Sequence, residues 1–379
     1  MRGSPRLLFV AGGTGGHLFP ALAVADRCRE IVPDAAVRFV GGHGRLEEEV
    51  VPRAGYDLDL LWISGFAGLH WRSAMLPLKM ARSLMQSRAI IRSFRPDVVV
   101  CAGAYVSWPV GRAAIAAKVP LVLMESNALP GRVIRSLAPK ADRVHVAFEK
   151  AREFLPGARV YNSGNPVRRS LAESIDPAAA RRRFNLDPEC PTLLVFGGSL
   201  GARSINRVLD EQVGRITAAG IQVIWQTGKS YEKGEVTTEN LVRTRFIHEM
   251  EQAYGAADLV LCRAGATTIA ELATLGKPSI LVPLPTAADD HQTVNARAVV
   301  EAGGGRMIAD VDMDTQLVDE VIDLFDNKAE RERMAVDVAA LASGDAAIST
   351  SSASASCASL RVISGSMRER MSMIGFQPR

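Results

Sequence analysis

The chain has no stretch approaching the roughly 18 unbroken apolar residues of a membrane span, so an integral membrane helix is not expected. Cysteine is sparse. Cys28, Cys101, Cys190, Cys262 and Cys357 are scattered through 379 residues without metal-like spacing. An odd number with no secretion signal fits a reducing cytoplasm rather than a disulfide scaffold. The opening MRGSPRLLFVAGG has a basic flank, but its apolar core is too short for a signal peptide and reads as a first strand. A net charge of +4 is too mild to imply a nucleic-acid partner.

One absence is local. Between Leu60 and Pro96 there is no acidic residue, while Arg72, Lys79, Arg82, Arg88, Arg92 and Arg95 are all basic. Trp71, Met75, Leu76, Leu78, Met80, Leu84 and Met85 are interleaved with them. Cations suit anionic headgroups and bulky apolar side chains suit the acyl boundary, so an interfacial helix is one reading. A core helix with a solvated basic face is the other.

What is present is ordinary globular composition, 47% hydrophobic and 23% charged, in a chain long enough for two cores. Two glycine-rich loops stand out, LLFVAGGTGGH (Leu7 to His17) and LLVFGGSLGAR (Leu193 to Arg203). A strand feeding such a loop, with a helix opening after it, aims backbone N–H groups at a phosphate. The repeat predicts two nucleotide-fold halves with chemistry in a cleft between them. Strands are expected at Leu7–Ala11, Val37–Val40, Val98–Ala102, Leu121–Glu125 and Arg143–Ala147. In the second half they are expected at Leu193–Phe196, Ile221–Gln226, Thr244–Phe246, Leu259–Cys262 and Ser279–Val282. Helices are expected at Pro20–Ile31, with proline at its start, and at Ser204–Ala219 and Thr267–Leu275. GNPVRRS (Gly164 to Ser170) has connector character, which places one domain at 1–163 and another at 164–342. Residues 343–379 begin as a Ser/Ala-rich tail with little to pack.

The first loop departs from the dinucleotide fingerprint, because the second strand ends in RFVGGHG without the carboxylate that would hold a ribose. A nicotinamide cofactor is therefore disfavoured. His17 closes that loop, and is either a helix-start histidine or a general base. CRAGATTIAEL (Cys262 to Leu272) places Gly265, Ala266, Thr267 and Thr268 at a strand-to-helix junction suited to a pyrophosphate. Glu271 either compensates that helix dipole or accepts the two hydroxyls of a ribose. Asp289, Asp290 and His291 are adjacent, and three neighbouring ligands rarely wrap one metal ion.

GGTGGHLFPALAVA, GAYVSWP, GNPVR, FGGSLGAR and CRAGATTIAEL with DDHQTVNA resemble, in order and spacing, the MurG family. These are the N-acetylglucosaminyltransferases that convert lipid I to lipid II in bacterial peptidoglycan synthesis. The resemblance runs from about Leu7 to Ala340. It implies an α/β GT-B fold of two Rossmann-like domains, with parallel sheets facing an interdomain cleft. It implies an inverting, metal-independent enzyme without cofactor, peripheral at the cytoplasmic face of the inner membrane. Its partners would be UDP-GlcNAc, the polyprenyl-linked acceptor and an anionic membrane surface.

By the same resemblance, Arg168 and Ser199 would contact the donor diphosphate, with Thr267 and Thr268 near it and Glu271 on the ribose. The backbone of Ile247 would pair with the uracil edge, with Met250 and Arg263 nearby. His291 and Gln292 would hold the transferred sugar, with Thr14, Gly15, Gly16 and Asn127 reaching the donor from the first domain. Acceptor-side candidates are Tyr105, Ser107 and Glu125, and His17 would be the base. Leu200 stands where the family usually has Gln, Trp108 where it has Gly, and the tail differs from the family's closing helix. Another GT-B transferase with a different lipid acceptor, and a non-catalytic UDP-sugar-binding protein, are the competing readings.

Overall fold

A computed structural model of the protein describes residues 4–13, 15–63, 76–167, 175–198, 201–228, 231–287 and 290–342. The chain divides between residues 168 and 169 into two compact units.

The first unit alternates strand and helix: β1 (Arg6–Val10), α1 (Gly15–Ile31), β2 (Ala36–Gly42), α2 (Glu47–Arg53) and β3 (Asp57–Leu61). It continues with α3 (Leu76–Phe94), β4 (Val98–Cys101), α4 (Ser107–Ala116), β5 (Leu121–Glu125), α5 (Arg132–Leu137), β6 (Arg143–Val146) and β7 (Val160–Asn162). The strands form one sheet in the order β3-β2-β1-β4-β5-β6-β7, and every pairing is parallel. Side chains alternate across a strand, so β1 sends Leu8 and Val10 into one core and Leu7 and Phe9 into the other. Burial on both faces is why β1, β4 and β5 read as continuous apolar runs rather than alternating ones.

The second unit holds α6 (Pro177–Arg183), β8 (Thr192–Phe196), α7 (Arg203–Ala218), β9 (Gln222–Gln226), β10 (Val236–Thr237), β11 (Leu241–Thr244) and α8 (Met250–Ala256). β12 (Leu259–Cys262), α9 (Ala266–Leu275), β13 (Ser279–Leu281), α10 (His291–Glu301), β14 (Gly305–Met307), α11 (Met313–Asp326) and α12 (Lys328–Ala342) follow. Its sheet runs β10-β11-β9-β8-β12-β13-β14. Only the edge pair β10–β11 is antiparallel among the pairings described.

Two expectations shift. α1 starts at Gly15, so Pro20 lies inside the helix. A proline there supplies no N–H to the carbonyl four residues back; that carbonyl, Gly16, lies 3.5 Å from the Ser126 hydroxyl, whose nearer acceptor is Asn165 Oδ1 at 3.0 Å. The strand expected at Thr244–Phe246 lies earlier, at Leu241–Thr244, where Thr244 aligns with Gln226 at the end of β9. Phe246 is left exposed and meets the His248 ring edge-on. The expected tail falls outside the described residues.

α3 turns Ser83, Ser87, Ile91 and Phe94 inward. The buried serines satisfy themselves along the helix, Ser87 donating to the Ser83 carbonyl at 2.7 Å and Ser83 to that of Met80 at 2.9 Å. The outer face carries Arg82, Arg88 and Arg92 beside Leu78 and Met85, each of the last two 61% exposed. Lys79 and Arg82 also lie over the Trp62 ring at 5.5 and 5.3 Å. Trp71, Arg72 and Met75 lie outside the described residues. No described helix is long and apolar enough to cross a membrane.

Candidate active site

The site candidates of each unit gather at the carboxyl ends of its strands, where a doubly wound sheet leaves its loops free for ligands. In the first unit, β1 ends in Ala11-Gly12-Gly13 and the helix bearing His17 opens at Gly15. The His17 ring is half-buried and packs on Gly103, in the loop after β4. A Cβ on Gly103 would stand 2.8 Å from His17 Cδ2 and 3.1 Å from Nε2, and Gly103 has φ +92°, so only glycine fits. The next residue, Ala104, also has positive φ, at 58°, which costs about 1–2 kcal/mol for an L-residue. This turn delivers Tyr105, whose hydroxyl is buried without a partner among the described residues and would lie 3.4 Å from a Cβ on Gly42.

Three first-unit assignments change character. Ser107 is fully buried and its hydroxyl donates to the Gly103 carbonyl, so it braces the His17 turn rather than facing a ligand. Glu125 is also buried and accepts from Asn127 N at 2.9 Å, Asn127 Nδ2 at 3.2 Å and Gly131 N at 2.8 Å. Burial pushes the Glu125 carboxyl above the usual range, against the pull of those donors. Its role in this geometry is to shape the 126–131 loop and orient Asn127. One amide of the first glycine loop, that of Gly13, is not open to a phosphate, because Glu47 already takes it together with the Gly42 amide at the end of β2. Gly13 N donates to its Oε2 at 3.1 Å and Gly42 N to its Oε1 at 2.9 Å. Nothing in sequence spacing marks Glu47, which sits in a run of three glutamates.

In the second unit, α9 opens at Gly265 with no side-chain cap, which leaves its first-turn N–H groups without that partner. Thr267 Oγ1 is buried beside them and makes no hydrogen bond among the described residues, and Thr268 is half-buried on the same turn. Glu271 lies in the second turn, buried, with Oε2 accepting from the Tyr254 hydroxyl at 2.9 Å. Tyr254 is fully buried on α8, and an aromatic residue in a helix gave no sign of this pairing. α10 begins with His291 and Gln292, both half-buried, after Asp290 in the left-handed region at φ 52°. Gln292 Oε1 accepts from Leu284 N at 3.0 Å. Asn295 Nδ2 donates to the Ala264 carbonyl at 3.3 Å, which joins α10 to the loop before α9.

Two more candidate residues already have partners within the protein. The Ile247 N–H is already used, donating to Gln226 Oε1 at 2.9 Å, while Gln226 Nε2 donates to the Gly198 carbonyl at 3.2 Å. Gln226 thus ties the second glycine loop to the segment expected to read the base. Arg263 is turned into the fold, donating to Asp310 Oδ1 at 2.5 Å, Ser204 Oγ at 2.7 Å and the Pro283 carbonyl at 3.0 Å. It holds the ends of β12 and β13 to the start of α7. Met250 begins α8, after Ile247 and the exposed His248. Thr14, Arg168, Ser199 and Leu200 lie outside the described residues. Trp108 is half-buried in the first turn of α4.

The glycosyltransferase family 28 N-terminal domain matches residues 7–146 and the family 28 C-terminal domain matches residues 192–348. A protein of Cytophaga hutchinsonii is 39% identical over 345 residues, 90% of this chain and 94% of that protein. It is named UDP-N-acetylglucosamine--N-acetylmuramyl-(pentapeptide) pyrophosphoryl-undecaprenol N-acetylglucosamine transferase. A protein of the same name from Bacteroides fragilis is 41% identical, across 90% of this chain and 93% of its own length. The crystal structure of Acinetobacter baumannii MurG superposes with a TM-score of 0.70 at 26% identity, covering 88% of this chain and 94% of that one. UDP-GlcNAc 2-epimerase from Neisseria meningitidis, at 13% identity and a TM-score of 0.62, shares the fold alone. With two parallel-sheet α/β units, both family domains and relatives of this identity and coverage, the chain belongs to glycosyltransferase family 28, among its MurG-type N-acetylglucosamine transferases.

Proposed function

We propose that the chain transfers N-acetylglucosamine from UDP-GlcNAc to the 4-hydroxyl of the muramoyl sugar of lipid I, yielding lipid II with inversion. The observation that carries this reading is identity of 39% and 41%, over nine-tenths of the chain, to transferases named for that donor and acceptor. The second unit is the donor domain and the first is the acceptor and membrane-facing domain.

The donor diphosphate lies over the start of α9, which no side chain caps and where Thr267 Oγ1 has no partner among the described residues. Arg168 and Ser199 add donors by family resemblance. Glu271, whose Oε2 accepts from the Tyr254 hydroxyl, takes the ribose hydroxyls. The uracil lies along the Ile247 backbone, near Met250, and His291 and Gln292 hold the transferred sugar. By family resemblance, Asn127, Gly15, Gly16 and Thr14 are further donor residues and Tyr105 an acceptor residue.

In the reaction the acceptor 4-oxygen forms a bond to the anomeric carbon, and the bond from that carbon to the β-phosphate oxygen breaks. His17 takes the hydroxyl proton. The negative charge that develops on UDP is stabilised by preorganised dipoles at the helix start, a role that needs no metal ion. The outer face of α3, with Arg82, Arg88, Leu78 and Met85, rests on an anionic bilayer and brings the enzyme to its polyprenyl-linked acceptor. On this reading the chain is a peripheral protein at the cytoplasmic face of the inner membrane.

The decisive experiment incubates the protein with UDP-GlcNAc and a lipid I analogue and follows UDP release. Release only when both are present supports the reading; release without acceptor, or none with both, refutes it. His17→Ala is expected to lower kcat by about 10²–10⁴-fold, the usual worth of a general base, with donor KM nearly unchanged. Near-normal turnover in that variant removes the base assignment.

A further inference from the structure

The first glycine loop has the form of an anion cradle, yet the anion in it belongs to the chain. Glu47, in the first turn of α2, is 1% exposed. Its Oε1 accepts from Gly42 N at 2.9 Å and Gly13 N at 3.3 Å, and its Oε2 accepts from Gly13 N at 3.1 Å. A Cβ on Gly12 would fall 2.2 Å from Glu47 Oε1, and one on Gly41 would fall 2.5 Å from its Cγ. Both positions lack a side chain because this carboxylate passes there. Among the described residues no lysine, arginine or histidine pairs with it. Backbone dipoles therefore balance its charge, as they would a bound phosphate.

We propose that Glu47 is a built-in phosphate surrogate, a positioning residue that locks the first glycine loop and through it sets His17. The covalent path is short, since Gly13 lies four residues before His17. The imidazole is then held on two sides, by Gly103 through packing and by the Glu47-anchored loop through the chain. A ligand diphosphate finds the Gly13 and Gly42 amides taken. The consequence for turnover rests on the transferase reading above; the occupied cradle does not.

The test uses the full chain with Glu47→Ala and Glu47→Gln, and sodium formate as a small carboxylate. Glu47→Ala empties the cradle, so saturating formate should raise its melting temperature by about 5 °C and leave the wild type unmoved. With UDP-GlcNAc and a lipid I analogue, Glu47→Ala should lose at least about tenfold in kcat with donor KM within about twofold, and formate should restore most of the loss. Glu47→Gln keeps the shape and one acceptor oxygen. It should fold, show an intermediate kcat and gain nothing from formate. The proposal is overturned if both variants turn over normally, or if formate neither stabilises nor reactivates a folded Glu47→Ala. If Glu47→Ala does not fold, normal kcat in Glu47→Gln overturns it and a reduced kcat at unchanged donor KM upholds it. A wild type that does not transfer N-acetylglucosamine defeats the functional reading, while formate-dependent melting of Glu47→Ala still reports on the cradle.

Discussion

Gly103 shows how a residue with no side chain places one that reacts. Its φ of +92° and the 2.8 Å approach of the His17 ring leave no room for a methyl group. Gly103→Ala should displace the imidazole, lowering kcat about tenfold or more and costing about 1–2 kcal/mol in unfolding measurements. Tyr254 and Gln226 act at one remove on the donor side. Tyr254→Phe removes one hydrogen bond to Glu271, about 1 kcal/mol, and should raise the donor KM about fivefold with kcat little changed. Gln226→Ala removes two, freeing both Ile247 and the Gly198 loop, and should raise it roughly tenfold or more. His145 has a different kind of consequence. Burial first, and the Arg143 charge second, push its imidazole down to about 4. The folded state therefore resists protonation while the unfolded chain takes a proton near 6.5. Stability from this site is complete above 6.5 and is lost as pH falls from there towards 4. Unfolding of the first unit should lose about 2 kcal/mol between pH 7 and 5, a slope that His145→Gln should flatten.

At the scale of elements, α3 and α9 separate what pattern can and cannot say. The charge pattern of α3 marked a basic helix with bulky apolar residues but left open which face turned out. Leu78 and Met85 point outward among arginines because serines, not leucines, occupy the inward positions Ser83 and Ser87. Replacing Lys79, Arg82 and Arg88 with Glu should reduce cosedimentation with anionic vesicles about tenfold or more, given about 1 kcal/mol per basic residue near such a surface. Unchanged partitioning would remove α3 as the membrane contact. α9 was legible almost to the residue, because a glycine before a run of helix formers and a glycine in the left-handed C-cap bracket it. β11 was misplaced because Thr244, Arg245 and Phe246 carry strand-forming side chains, while its pairing register with β9 stops at Thr244.

For the molecule as a whole, two seven-stranded sheets share a parallel doubly wound core, and the second adds the antiparallel β10 at its edge. Since the donor candidates of the second unit lie on α8, α9 and α10, UDP should protect amides there from hydrogen exchange, by about 2.7 kcal/mol at one hundred times its Kd. Protection centred on β1 and α1 instead would reverse the donor and acceptor domains. The parallel class of both sheets could be read in advance, since strands buried on two faces must be apolar throughout and crossovers between them must be helical. The short edge strands β3, β7, β10 and β14 escaped notice because an edge strand is exposed on one side and carries little of that signal.

Local chemistry settled the fold class, the two glycine loops and the α9 start, since each depends on neighbours within a few residues. Folding alone decided the occupants of those loops. Glu47 reaches the Gly13 amide from 34 positions away and Gln226 reaches Ile247 from 21 away. Arg263 and Ser107 likewise have hydrogen-bond partners that only the packed structure supplies. A side chain's free hydrogen-bonding capacity is set by whatever the fold brings beside it, and one-dimensional spacing carries no record of that.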